Sequence, residues 1–159
     1  MVTLADRLVQ DSTWAPLDTT RDPRTLANAA YLMWRRKHPA VSVDLANAAL
    51  ASEDQLTPEQ AHRVLTTLAK AARRVGDRPR QGWAARKLVA QFPVDATARR
   101  DLAIYEERVT RNLPCALEHA RYAQHLAPSA VGSRRVERLE RRVEAARPSV
   151  DGARKAQLD

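Results

Sequence analysis

Residues 57–76 read TPEQAHRVLTTLAKAARRVG, and residues 77–93 read DRPRQGWAARKLVAQFP. The first stretch carries its own start and stop signals. Thr57-Pro58-Glu59-Gln60 has the form of a capping box, in which the Thr57 hydroxyl accepts from the Gln60 amide and the Gln60 side chain reaches back. Pro58 fills the first helical position, where a missing N–H is tolerated. Gly76 suits the left-handed residue that ends a helix. Between these signals Ala61, Val64, Leu65, Leu68, Ala69, Ala72 and Val75 fall within about 140° of arc on a helix. In the second stretch Asp77, with Pro79 just inside, opens a helix. Ala84, Ala85, Leu88, Val89 and Phe92 share one face of it before Pro93 closes it. The two stretches predict two amphipathic helices joined by a short turn.

The same punctuation extends outward. Asp22-Pro23 opens a helix that runs to about Lys37, and His38-Pro39 stops it. A shorter helix follows over about Val41–Ala51. Asp95 caps one that runs to about Arg111. Pro114 starts another, which ends near Ala127-Pro128. The last is expected from about Ser133 to Arg147, with Val136, Leu139, Val143 and Ala146 in one stripe. No segment alternates like a strand. The chain reads as all-α: an N-terminal segment over 1–22 with a possible short helix at 2–10, a helical domain over 23–147, and a polar tail over 148–159.

Pairs of helices start near 23, 58 and 96, intervals typical of helical-hairpin repeats. Leu68, Ala69 and Ala72 in the first helix of the second pair, Gly76 at the turn and Pro93 at the close resemble a tetratricopeptide repeat. Ala116, Ala120, Ala123, Leu126 and Pro128 repeat the pattern over 97–130, and Ala30, Ala46 and Ala49 echo it over 23–54. The resemblance implies a right-handed helical-hairpin solenoid of about three degenerate repeats, with the last helix as a cap. The sequence departs from the pattern at Gln81, where a small residue is usual, and at Arg111, where the turn glycine is expected. Leu102-Ala103-Ile104-Tyr105-Glu106-Glu107-Arg108, Ala116-Leu117-Glu118-His119-Ala120 and Arg134-Arg135-Val136-Glu137-Arg138-Leu139 are also similar to the helical tail of YprB-type ribonuclease-H-like proteins. That likeness implies a non-catalytic module and transfers no catalytic residue.

Composition excludes several functions. The 159 residues include four glycines, so a Gly-rich phosphate loop has little to be built from. One cysteine, Cys115, rules out an internal disulfide framework and a multi-cysteine zinc site. Among the four histidines no pair has chelating spacing on one helix. Met1-Val2-Thr3-Leu4-Ala5-Asp6-Arg7 lacks the apolar core of a signal peptide. No run reaches the roughly 20 apolar residues of a membrane span. These features lead to the expectation of a cytoplasmic, non-enzymatic chain with no cofactor and no metal.

Charge carries the functional expectation. Lys and Arg total 27 against 19 Asp and Glu, a net charge of +8, which favours an acidic partner. The excess is almost all arginine and comes with abundant alanine, a combination that a GC-rich genome also produces. Arg63, Lys70 and Arg74 form one stripe, Arg80 and Lys87 flank Trp83 on the next helix, and Arg100 follows. Arg134, Arg138 and Arg141 form a third stripe, with Arg135 and Arg142 beside it, and Glu137, Glu140 and Glu144 on the opposite flank partly neutralise it. Trp83 is expected chiefly as core between repeats; left exposed, it would be a binding hot spot. Trp34 is expected in the core, and Trp14 to pin the N-terminal segment. Glu106, at the edge of the face made by Ala98, Leu102, Tyr105 and Val109, needs a cation from a neighbouring helix. Glu107 and Arg111 read as a surface pair. Cys115 with His119 at i+4 is the one conceivable nucleophile–base pair, and a small residue tucked into a hairpin is the simpler reading. The expected function is an adaptor that holds an acidic protein or peptide on Arg63, Lys70, Arg74, Arg80, Trp83, Lys87 and Arg100. The alternative is a nucleic-acid-binding accessory protein that uses the same arginines, possibly beside a nuclease.

Overall fold

The computed structural model describes residues 22–146, and within them the chain is all-helical. The helices are α1 (Pro23–Arg35), α2 (Pro39–Leu50), α3 (Pro58–Val75), α4 (Arg78–Gln91), α5 (Ala96–Tyr105), α6 (Leu113–Leu126) and α7 (Ala130–Ala145). A 3₁₀ turn covers Glu53–Gln55, and a π-helical turn, Glu106–Thr110, extends α5. The expected short helix at 2–10, Trp14 and the polar tail over 148–159 lie outside the described residues. The chain divides into two compact units, Met1–Asp77 and Arg78–Asp159.

The caps form as their chemistry dictates. Asp22 accepts from the Arg24 and Thr25 amides at 3.4 and 3.3 Å. The Thr57–Gln60 box closes both ways, at 3.0 Å into Gln60 and 3.3 Å into Thr57. Asp95 accepts from Thr97 and Ala98 at 2.8 and 3.0 Å. Gly76 takes the left-handed conformation, φ 84°, and the Asp77 amide reaches back to the Ala72 carbonyl at 2.9 Å. Two ends differ from expectation. The last helix starts at Ala130 on the Ser129 cap, not at Ser133. Helix α5 gives way to the π turn after Tyr105 instead of running on as α-helix to Arg111.

In the first unit α1, α2 and α3 pack against one another. The core is Leu26, Ala27, Ala30 and Met33 from α1, Val43, Leu45, Ala46 and Ala49 from α2, and Val64, Leu65, Leu68 and Ala72 from α3. The buried Ser42 hydroxyl donates to the Ala30 carbonyl at 2.8 Å, satisfying a polar group that would otherwise cost stability. The buried arc of α3 is rotated from the expected one: Thr67 and Ala71 are buried, Ala69 is half-buried and Val75 is exposed. Trp34 is half-buried.

In the second unit each helix packs on the next, α4 on α5, α5 on α6 and α6 on α7. Ala103, Ala116, Leu117, Ala120 and Leu139 form a core cluster, edged by Leu113, Val136 and Val143. Small residues let these helices approach closely. Gly82 is the sharpest case: a Cβ there would strike the Tyr105 ring. The small contact residue of α4 is thus Gly82, one position beyond Gln81. Arg111 takes the left-handed conformation itself, φ 58°, and so performs the turn without glycine.

Candidate functional site

The expected partner residues lie on three helices. On α3, Lys70 and Arg74 are exposed. Arg63 is engaged within the first unit: Nη2 donates to Asn28 Oδ1 at 2.8 Å, and its guanidinium lies 5.9 Å from the Tyr31 ring centre. On α4, Trp83 is 46% exposed, with Lys87 Nζ 5.1 Å from its ring centre. Trp83 is therefore a surface aromatic, where it was expected chiefly as core. Arg80, one turn earlier on α4, is exposed, and so is Arg100 on α5.

Two consecutive carboxylates organise the second unit. Glu106, 3% exposed, accepts from Arg86 Nε and Nη2 of α4 at 3.1 and 2.8 Å on one oxygen, and from the Thr110 hydroxyl on the other. Arg86 also lies 5.4 Å from the Tyr105 ring centre. The expected cation from a neighbouring helix is thus present. Glu107 is the departure. It is 5% exposed and is met by three arginines of α7: Arg142 at 2.7 Å, Arg138 at 2.9 Å and Arg135 at 3.4 Å. The expected surface pair with Arg111 is overturned, because the wider π turn carries Glu107 inward. The turn is closed by the Asn112 amide on the Glu106 carbonyl at 2.9 Å.

Arg138 of the third arginine stripe is correspondingly committed, together with Arg135 and Arg142 beside it. Arg135, Arg138 and Arg142 face Glu107, while Glu140 accepts from Arg121 at 2.7 Å. Three cations on one carboxylate leave a local positive surplus. Burial pushes the Arg135 pKa down, Glu107 opposes that, and Arg138, Arg108 and Arg100 add to the depression.

Cys115 sits in the first turn of α6, where Asn112 caps its amide at 3.2 Å. Burial, then Glu106 and Glu118, raise its pKa, which keeps the thiol protonated. His119 directs Nδ1 toward Arg99 Nη1 at 3.2 Å, and the Arg99 guanidinium also stacks 4.2 Å from the Tyr122 ring centre. Burial and Arg99 hold the imidazole below its usual pKa. This geometry is that of a structural contact between α5 and α6. Among the described residues no cluster of His, Cys, Asp or Glu could hold a metal ion. Among them, too, no helix is long and apolar enough to cross a membrane.

Sequence reasoning missed the role of Arg135 and the Glu107 cluster. The signal present was the spacing of Arg135, Arg138 and Arg142, which puts all three on one face of α7. No protein-family model matches the chain, and no curated protein matches it by sequence.

Proposed function

We propose that this protein is a non-enzymatic interaction module that binds acidic protein or peptide segments through cationic surfaces on each unit by itself: Lys70 and Arg74 on α3 of the first, with Arg63 steadying that stripe, and Arg80, Trp83, Lys87 and Arg100 on the second. The observation that carries the reading is Trp83. A large aromatic on the surface, flanked by cations on the same helix, has the make-up of an interface anchor. The cations supply charge complementarity to acidic side chains. The same proposal includes the finer architecture, a right-handed tetratricopeptide-like solenoid of about three degenerate repeats with α7 as its cap. The succession of helices packing on their chain neighbours within each unit supports it. A cytoplasmic location belongs to the same reading.

The test is fluorescence anisotropy of a labelled, Glu- and Asp-rich peptide. Trp83→Ala is expected to weaken binding about tenfold, the effect of losing a modest hot spot. Arg80→Gln with Lys87→Gln is expected to weaken it similarly and to flatten the salt dependence. Unchanged affinity in both variants would overturn the assignment of this face.

A further inference from the structure

Helix α5, helix α6 and the first turn of α7 line a partly open cleft of about 130 Å³ within the second unit. Its apolar side is made by Ala120 and Ala123 of α6, with the exposed Ala127 just past the helix end. That volume has room for one small apolar group.

The polar wall is already fixed. Gln124 Oε1 accepts from the Ser129 amide at 3.1 Å, and Nε2 donates to the Ser133 hydroxyl at 3.0 Å. Ser129 Oγ accepts from the Gly132 amide at 3.0 Å. A Cβ at position 132 would strike Gln124, so Gly132 is what lets this wall close. A ligand entering the cleft meets a preformed pocket and imposes little ordering cost.

Two guanidiniums line it, Arg100 from α5 and Arg135 from α7. Arg135 is the least committed of the three arginines on Glu107. Its bond is 3.4 Å, against 2.9 and 2.7 Å for Arg138 and Arg142. Its side chain is 17% exposed, and its buried Nε makes no hydrogen bond among the described residues. A buried donor without a partner is uncommon, and this one is itself too enclosed for a group in the cleft to reach. Arg100 meets only the half-exposed Asp101, at 3.5 Å. The cluster of Arg135, Arg138 and Arg142 with Glu107 holds two unbalanced positive charges, while the charge of Arg100 is offset by Asp101.

The geometry points to a binding site for a carboxylate carried on one small apolar group, with Arg100 and Arg135 gripping the carboxylate and the alanine side of the cleft seating the apolar body. The planar guanidinium fork matches a carboxylate. Arg135 is pressed by the charges of Arg138, Arg108 and Arg100, and a second carboxylate would relieve that pressure. The apolar side favours a monoanion with a short branched body over inorganic phosphate, whose oxygens the methyl groups could not satisfy. Such a group is supplied either by the C-terminal residue of a peptide or by a free short branched-chain acid. The inference does not depend on the Trp83 surface, although Arg100 is common to both.

The test is an amide-resolved NMR titration of the full chain with N-acetyl-valine, N-acetyl-valinamide, isovalerate and inorganic phosphate. N-acetyl-valine is expected to bind with a Kd of about 1 mM and to shift the Gly132 and Ala123 amides, while the neutral amide does not. Arg100→Gln and Ala127→Leu, which fills the apolar side at an exposed position, are each expected to weaken it at least tenfold. Isovalerate binding as tightly as N-acetyl-valine supports the site with a free acid as its ligand, and weaker isovalerate binding supports a peptide terminus. No shift with either carboxylate, equal binding of the neutral amide, or phosphate binding more tightly would overturn the proposal. Ala127→Leu leaves the Trp83 surface untouched, so a variant that loses N-acetyl-valine yet keeps the acidic peptide separates this site from the adaptor reading.

Discussion

Glu106 and Glu107 are neighbours in sequence, both buried, and each recruits a different helix of the second unit. Glu106 holds Arg86 of α4, and Glu107 holds Arg135, Arg138 and Arg142 of α7. Removing the charge of Glu107 leaves three guanidiniums facing one another. The Arg138 and Arg142 side chains are about half exposed, so water offsets part of that repulsion. Glu107→Gln is expected to cost about 2–3 kcal/mol in urea denaturation, and Glu106→Gln, with one partner cation, about 1–2 kcal/mol. Equal costs would contradict the account. Glu106 was legible in the sequence because it follows Leu102 by one turn on an apolar face. Glu107 was not, because at the α-helical period it points away from that face. The π turn that brings it inward leaves no composition signature.

His119 gives a signed pH prediction at the same scale. Its folded pKa lies below the ordinary value of 6.5, first through burial and then through Arg99. The unfolded chain therefore binds a proton at a pH where the folded chain does not. The contribution is fully present above about 6.5 and falls as pH drops through and below that value. The wild-type urea midpoint is expected to fall more between pH 7.5 and 5.5 than that of His119→Gln, which keeps an acceptor for Arg99 without the titration. The Cys115 thiol, with its raised pKa, is expected to react with iodoacetamide at pH 7.5 more slowly than a free cysteine.

At the scale of elements, close approach sets the packing of α4 on α5. Glycine in a helix interior ordinarily destabilises, and replacing it by alanine gains about 0.5–1 kcal/mol. Gly82→Ala is expected to do the opposite and lose about 1–3 kcal/mol, because the added methyl would enter the Tyr105 ring. A stabilised Gly82→Ala variant in thermal denaturation would show that the ring moves freely. The helix boundaries were largely readable, since Asp22, Thr57, Asp95 and Gly76 act through local chemistry that tertiary context did not override. The start of α7 was misread because Ser129 and Ser133 are both good caps, one turn apart. Ser129 is the cap: its hydroxyl accepts from the Gly132 amide, and its own amide donates to Gln124 across the turn. Arg111 shows the converse, a left-handed turn residue with no glycine to announce it.

For the molecule as a whole, the cations behind the net charge of +8 differ in how far they are exposed. Arg63, Arg86, Arg99, Arg121, Arg138 and Arg142 are tied to side chains of their own unit. Lys70, Arg74, Arg80 and Arg100 are exposed. The stripes were visible in the sequence, but periodicity gives only the direction of a side chain. Which arginines meet internal carboxylates depends on contacts between helices, and so does the exposure of Trp83. The central claim, an acidic protein partner, is tested most directly by anisotropy titrations at about 50 and 200 mM salt, comparing the labelled acidic peptide with single-stranded and duplex oligonucleotides. Nucleic-acid affinity that rests on phosphate contacts falls steeply over that range. The account predicts that oligonucleotide binding is lost at the higher salt while peptide binding persists and depends on Trp83. Oligonucleotides retained at 200 mM salt more tightly than the peptide would contradict it.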